Sequence, residues 1–338
     1  MRDNNCTLFN DQQHYCTAIY AVKQIVSSLE LVGSLFIIFV IWLFKTYKYF
    51  NQRLILALSV AALGESISIL MTGVPQDRGP LCQTQAWLLT YFVLGVLFWV
   101  CCITFNIWRA TRGDRAKRLE RYYHMISWGV PLIFASLPFS QDVYGPAGPW
   151  CWIAGDVENS AIWRMATYYI PLFICIIGLF TVCMFILITH RRQAQRWQGV
   201  YSGNNATEHQ QRQLWMRDVK SLMAYPVIYF LLSLAPFIHR VYNIFSSKPN
   251  FTLILLHVIS IPLTGLINAF AFGWNKETLR RLNRDNFKVA LQQHFAFGNA
   301  RIELSMGEHR LGEPTEGVQL DTNALPLKYH NPGMDNDI

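Results

Sequence analysis

The stretch FTLILLHVISIPLTGLINAFAFGW, residues 251–274, contains no Asp, Glu, Lys or Arg. About 20 apolar residues in a helix cross the roughly 30 Å hydrocarbon core of a bilayer. Lipid offers no partner to an unpaired N–H or C=O, so such a run reads as one helical span. Six further apolar runs precede it, near residues 21–44, 54–71, 82–108, 122–137, 161–189 and 219–242, the second and fourth being the shortest. The expected fold is therefore all-α, an integral membrane bundle of seven transmembrane helices over residues 21–274. A polar N-terminal segment, 1–20, precedes it, and the first span is expected to act as its own insertion signal because no cleavable leader is evident.

Composition agrees. Of 338 residues, 52% are hydrophobic and 15% charged, where a soluble domain carries about a quarter charged residues. A net charge of +8 would raise nucleic-acid binding in a soluble chain. Here the basic residues sit in short blocks between apolar runs, so nucleic acid is not an expected partner and membrane lipids are.

Those blocks orient the chain, since Lys and Arg concentrate in cytoplasmic loops. Lys45, Lys48 and Arg53 follow the first run; Arg109, Arg112, Arg115, Lys117, Arg118 and Arg121 follow the third. Arg191, Arg192, Arg196, Arg212, Arg217 and Lys220 bracket the loop between the fifth and sixth, and Lys276, Arg280, Arg281, Arg284 and Lys288 follow the seventh. The other side holds only Arg2, Lys23, Arg78, Arg164, Arg240 and Lys248. A multi-pass plasma-membrane protein with its N-terminus outside and its C-terminus in the cytoplasm is expected. Residues 275–296 place Leu279, Leu282, Phe287, Val289, Ala290 and Leu291 on a broad apolar arc, which suits an amphipathic helix on the inner membrane surface. The tail, 297–338, is polar and Gly/Pro-punctuated and is expected to be disordered.

Topology sorts the cysteines. Cys101, Cys102, Cys175 and Cys183 fall within spans, whereas Cys6, Cys16, Cys82 and Cys151 fall outside. Cys82, at the outer end of the third span, and Cys151, in the second outer loop, are well placed to pin that loop over the bundle. Cys6 and Cys16 either pair or remain two thiols. Asn5-Cys6-Thr7 is the expected glycosylation site; Asn250-Phe251-Thr252 lies very close to the membrane, and Asn205-Ala206-Thr207 falls on the wrong side.

Ionisable residues inside spans usually face the bundle interior or a water-filled cavity. Arg240 and His257, toward the outer ends of the sixth and seventh spans, are placed to converge on one cavity. Arg164 either snorkels to the surface or contacts a ligand. Glu30 and Glu65 lie deeper and suit a polar network or a bound cation. No catalytic signature appears: no His-Glu-x-x-His, no Gly-x-Ser-x-Gly, no phosphate-cradling Gly-rich loop and no Cys/His cluster of metal spacing. The expectation is a non-enzyme with no cofactor and no metal, and residues 251–274 contain no lysine to carry retinal.

Seven helices alone do not specify a receptor. The segments Trp128-Gly-Val-Pro-Leu132 and Trp150-Cys-Trp-Ile153 resemble motifs of the cyclic AMP receptor family of slime-mould chemoattractant receptors and their receptor-like relatives. The first opens that family's fourth helix and the second sits in its second outer loop. Arg240 and Asn243, Leu256-His257 and Trp274-Asn275 agree more loosely. The resemblance implies a G-protein-coupled receptor, a Cys82 to Cys151 disulfide, an outside N-terminus and a heterotrimeric G protein as partner. The chain departs from rhodopsin-like receptors in lacking their Asp-Arg-Tyr and Asn-Pro-x-x-Tyr signatures, and from the slime-mould receptors in lacking a long serine-rich tail.

The expected ligand is an extracellular small molecule, cyclic AMP or another anion, in a cavity among the third, fifth, sixth and seventh helices. Arg240 is the first choice for charge pairing, with His257 and Arg164 after it. Trp150 and Trp152 either stack on a base or pack around the disulfide. Arg109, Arg112, Arg217 and Lys220 are expected to face the G protein. The alternatives are a small-solute transporter, for which the chain shows no internal repeat, and a receptor-fold scaffold that does not signal.

Overall fold

The computed structural model describes residues 13–71, 78–112, 119–147, 150–198, 206–246 and 249–292. Seven rods cross the protein: α1 (Gln13–Leu43), α2 (Phe50–Leu70), α3 (Pro80–Thr111), α4 (Glu120–Ser136), α5 with α6 (Ser160–Arg164 and Ile170–Gln198), α7 (Ala206–Phe245) and α8 (Phe251–Gly273). A π-helical turn, Met165–Tyr169, joins α5 to α6 without a break. Between α4 and α5 the chain forms an antiparallel hairpin, β1 (Tyr144–Pro146) and β2 (Cys151–Ile153), with Tyr144 opposite Ile153. Helix α9 (Lys276–Arg281) follows α8. These elements belong to a compact unit ending at Phe287; in a second unit, which begins at Lys288, residues 288–292 are helical.

Among the described residues, six helices are long and apolar enough to cross a membrane. Helix α4, at 17 residues, falls short by itself, but the 3-10 turn Leu137–Gln141 runs directly on from it. The chain is a multi-pass membrane protein. Several helices outrun the apolar stretches that announce them: α1 starts at Gln13 and α7 at Ala206. Helical hydrogen bonding requires only a continuous backbone, so nothing stops it where the side chains become polar.

Helix α3 is the axis, packing on α2, α4, α6, α7 and the hairpin. Its Trp99 is fully buried and meets Trp128 of α4 edge-to-face, 5.8 Å between centroids. The Trp of the Trp-Gly-Val-Pro-Leu motif thus fastens α4 to α3. The bundle's outer surface is apolar, with Ile133, Ile174, Ile177 and Phe270 each more than 60% exposed; a lipid-facing surface has that composition. Two residues with positive φ bound the segment carrying the hairpin, Asp142 (49°) and Asn159 (58°), residue types that adopt the left-handed region more readily than most.

The interior holds two acids. Glu30 (α1) and Glu65 (α2) are 1% and 2% exposed, and the Gly265 backbone of α8 hydrogen-bonds Glu30. A Cβ added to Gly265 would stand 2.6 Å from Glu30 Oε1, so α1 and α8 approach this closely only because Gly265 has no side chain. At the far end of the bundle from the hairpin, Arg53 of α2 grips Glu120 of α4 with two hydrogen bonds, of 2.5 and 2.7 Å.

Gly265→Ala is expected to destabilise the bundle by about 1–3 kcal/mol, the usual cost of overpacking. Gly178→Ala, with nothing within 4 Å of its new methyl, is expected to be neutral or mildly stabilising. Thermal melts of the two variants in the same detergent check the contrast.

Candidate functional site

The site is roofed by the hairpin, which five side-chain and covalent ties hold in place. Cys151 is disulfide-bonded to Cys82 at the start of α3 (Cα–Cα 5.3 Å). One turn along α3, Gln85 Oε1 accepts the Cys151 N–H at 3.3 Å while its amide donates to Ser68 O of α2 at 3.3 Å. Trp152 Nε1 donates to Thr90 Oγ1 (3.2 Å), and the Tyr144 hydroxyl donates to Ala135 O (2.8 Å). From the far side, Arg164 Nε and Nη2 both donate to Ile153 O, at 3.2 and 2.7 Å.

Beneath the hairpin lies a cavity of about 490 Å³, within the range typical of small-molecule sites. Arg240, His257, Arg164, Trp150 and Trp152, drawn from α7, α8, α5 and the hairpin, all line it. Its walls also include α1 and α3, and the first of these was not anticipated. Apolar residues such as Val93, Ile254 and Ile261 complete the lining, which among the described residues contains no Asp or Glu.

The polar groups are differently committed. Arg164 is tied to the hairpin by its two bonds to Ile153 O, so it acts on the lid as well as lining the cavity. His239 and His257 face one another, Nδ1 to Nδ1 at 2.7 Å, and Asn243 Nδ2 lies 3.2 Å from His239 Nε2. One histidine must donate and the other accept in the short contact. Arg240 stacks on aromatic faces instead, its Cζ 4.8 Å from the Tyr169 centroid and 5.8 Å from that of Trp152. Its buried Nε has no hydrogen-bond partner among the described residues.

Lys23 is a cavity-lining cation that sequence reasoning missed. It counts in the sequence as an outer basic flank, because the apolar run begins beside it. Helix α1 starts at Gln13, however, which carries Lys23 into the bundle, 7% exposed and with Nζ 4.1 Å from the Trp150 ring centroid. A lysine embedded at the start of an apolar run, with polar helix-compatible residues before it, was the available signal.

The remaining expected sites fall elsewhere. Glu65 faces a separate, smaller cavity of about 30 Å³, room for about one water, which shares Val93, Tyr168 and Ile261 with the main one. Cys16 is buried and disulfide-bonded; Asn5 and Cys6 lie outside the described residues. Asn250 is engaged as the N-cap of α8, its Oδ1 accepting the Leu253 N–H at 3.2 Å. Arg109 occupies the last turn of α3, Arg112 lays its guanidinium 4.1 Å from the Trp108 ring centroid, and Arg217 and Lys220 lie on α7.

A family model described as slime mold cyclic AMP receptor matches residues 10–305. Cyclic AMP receptor-like protein A of Dictyostelium discoideum is 28% identical over 254 residues, covering 74% of this chain and 62% of that protein, less than two thirds of its length. G-protein coupled receptor 1 of Arabidopsis thaliana is 26% identical over 269 residues, 78% of this chain and 80% of that one. Squid rhodopsin shares the fold, with a TM-score of 0.57 at 13% identity over 85% of this chain and 86% of its own. The helix bundle therefore has the same fold as rhodopsin's although the rhodopsin-like signature motifs are missing.

Arg164→Ala removes two charge-assisted hydrogen bonds from the lid, and each such bond contributes about 1.5–3 kcal/mol. Hydrogen–deuterium exchange is expected to rise selectively in peptides covering residues 143–154, while the α3 core around Trp99 stays protected.

Proposed function

Because the chain belongs to the slime mold cyclic AMP receptor family, we propose that it is a G-protein-coupled receptor whose ligand is a small extracellular anion, cyclic AMP or another. The observation that carries the ligand's charge is the buried Nε of Arg240, unpartnered among the described residues, in a cavity whose described lining has no carboxylate to neutralise it. A buried donor without an acceptor is costly, and an anionic ligand that accepts from it removes that cost. Arginine presents a planar fork of donors suited to carboxylate or phosphate. His257, bonded to His239, offers a further donor or acceptor, Arg164 adds positive potential while holding the lid, and Trp150 and Trp152 supply aromatic faces above the ligand.

In this reading the N-terminus and the hairpin face the outside, and the end carrying Arg109, Arg112, Arg217 and Lys220 faces the cytoplasm and the G protein, following the distribution of basic residues. The protein lies in the plasma membrane, and Asn5 is glycosylated. The receptor is not an enzyme. Ligand binding works by differential affinity for two bundle arrangements. Helix α7 is the element suited to move, since it carries Arg240 in the cavity, Arg217 and Lys220 toward the other end, and Pro226 and Pro236 between them. Each proline removes one helical hydrogen bond and leaves a site of easy bending.

The test is G-protein recruitment in cells displaying the chain, challenged first with cyclic nucleotides and then with a panel of small organic anions. An agonist found there is expected to lose at least tenfold in potency against Arg240→Ala, equivalent to about 1.4 kcal/mol, and its response against Cys151→Ser, at matched surface expression. Full potency in Arg240→Ala removes the proposed anion site.

A further inference from the structure

The cavity restricts the shape of its ligand as well as its charge. Trp150, in the turn leading into β2, and Trp152, in β2 itself, flank Cys151. Both tryptophans line the cavity, so the lid presents two indoles in a row. Lys23 Nζ is 4.1 Å from the Trp150 centroid, while Trp152 has two guanidinium groups beside it, Arg164 Cζ at 5.7 Å and Arg240 Cζ at 5.8 Å. Lys23 and Arg240 come from α1 and α7, which approach from different sides of α8. His257 of α8 lies within electrostatic reach of both.

Among the described residues neither Lys23 nor Arg240 is in an ion pair, although Arg240 also lies over the Tyr169 ring, at 4.8 Å. Arg164, the third cation of the cavity, gives two donors to Ile153 O, whereas Arg240 keeps its buried Nε without a partner. Lys23 has only its ring contact among the described residues and is nonetheless 7% exposed. A cation–π contact offsets part of the desolvation of an ammonium group, but a paired anion is what normally accompanies a cation so buried. If lid fastening were the only task at Trp150, an apolar neighbour would serve it without desolvating a charge.

We infer that the ligand carries two separated acidic groups, one received by Arg240 and the other by Lys23, joined by a flat or apolar middle that lies under Trp150 and Trp152. Lys23 is the specificity-determining residue: it separates a dianion spanning the two indoles from a monoanion of similar size, which leaves one buried cation unpaired. This rests on the reading of the cavity as the receptor's ligand site.

The experiment uses the full chain purified in detergent and measures thermal stabilisation by terminal dicarboxylates from succinate to suberate, each beside the monocarboxylate of equal chain length, with cyclic AMP as a monoanionic nucleotide. The expected result is a dicarboxylate of intermediate length that stabilises at a concentration at least tenfold below its monocarboxylate partner. Lys23→Met, which keeps an apolar stem against Trp150, is expected to bring that ratio toward one, and Lys23→Arg to restore it. Arg240→Met is expected to weaken both classes. Monocarboxylates or cyclic AMP that stabilise as well as every dicarboxylate, while remaining sensitive to Arg240→Met, overturn the two-point inference and leave the anion site standing. A dicarboxylate preference unchanged by Lys23→Met also overturns it. Indifference of the wild-type protein to both classes overturns the inference together with the anion-receptor reading.

Discussion

Hydrocarbon cannot hydrogen-bond to a peptide group, and a chain that crosses it must satisfy every N–H and C=O from within. The helices follow from that constraint, and so does the conduct of the polar side chains inside them. Ser59, Ser68, Thr90, Thr104, Ser260 and Thr264 each turn the hydroxyl back to the carbonyl one turn earlier, the local solution open to a short hydroxyl side chain in a helix. With polarity folded inward, isoleucines and phenylalanines cover the outside. Helices can then pack on small residues, as α8 does on α1 at Gly265, and accommodate Pro131, Pro226, Pro236 and Pro262 inside them.

The hairpin roofs the site, and its fixity comes from elsewhere in the bundle. It borrows Cys82, Gln85 and Thr90 from one face of α3, a carbonyl from α4 and the guanidinium of Arg164. Since α3 is also the packing axis, the lid and the bundle share a reference frame. A ligand touching Trp152 therefore reaches the centre of the fold through Thr90.

Charge is divided between two levels of the interior. The cavity under the lid is lined by Lys23, Arg164, Arg240 and two histidines, while Glu30 and Glu65 stand on α1 and α2, with Glu65 facing the smaller adjoining space. None of the cavity's cations forms an ion pair with those acids among the described residues. A bundle optimised for stability alone would pair such groups or replace them with apolar ones. Their separation is the strongest physical mark of function in the molecule.

The sequence by itself determined the helical class, the seven spans, the Cys82–Cys151 bridge and the group of Arg240, His257, Arg164, Trp150 and Trp152. Span length and charge flanks are local properties, and family motifs preserve loop identity. Tertiary structure alone decided which way each helix turns. Lys23 enters the cavity because α1 begins well before its apolar run. Arg164 is held by Ile153 O, and a π turn at Met165–Tyr169 follows it; neither feature leaves a pattern of residue types. Helix rotation and register are set by packing against neighbours rather than by hydrophobic length. The convergence of two unpaired cations beneath two tryptophans therefore became visible only once α1, α7 and the hairpin had been brought together.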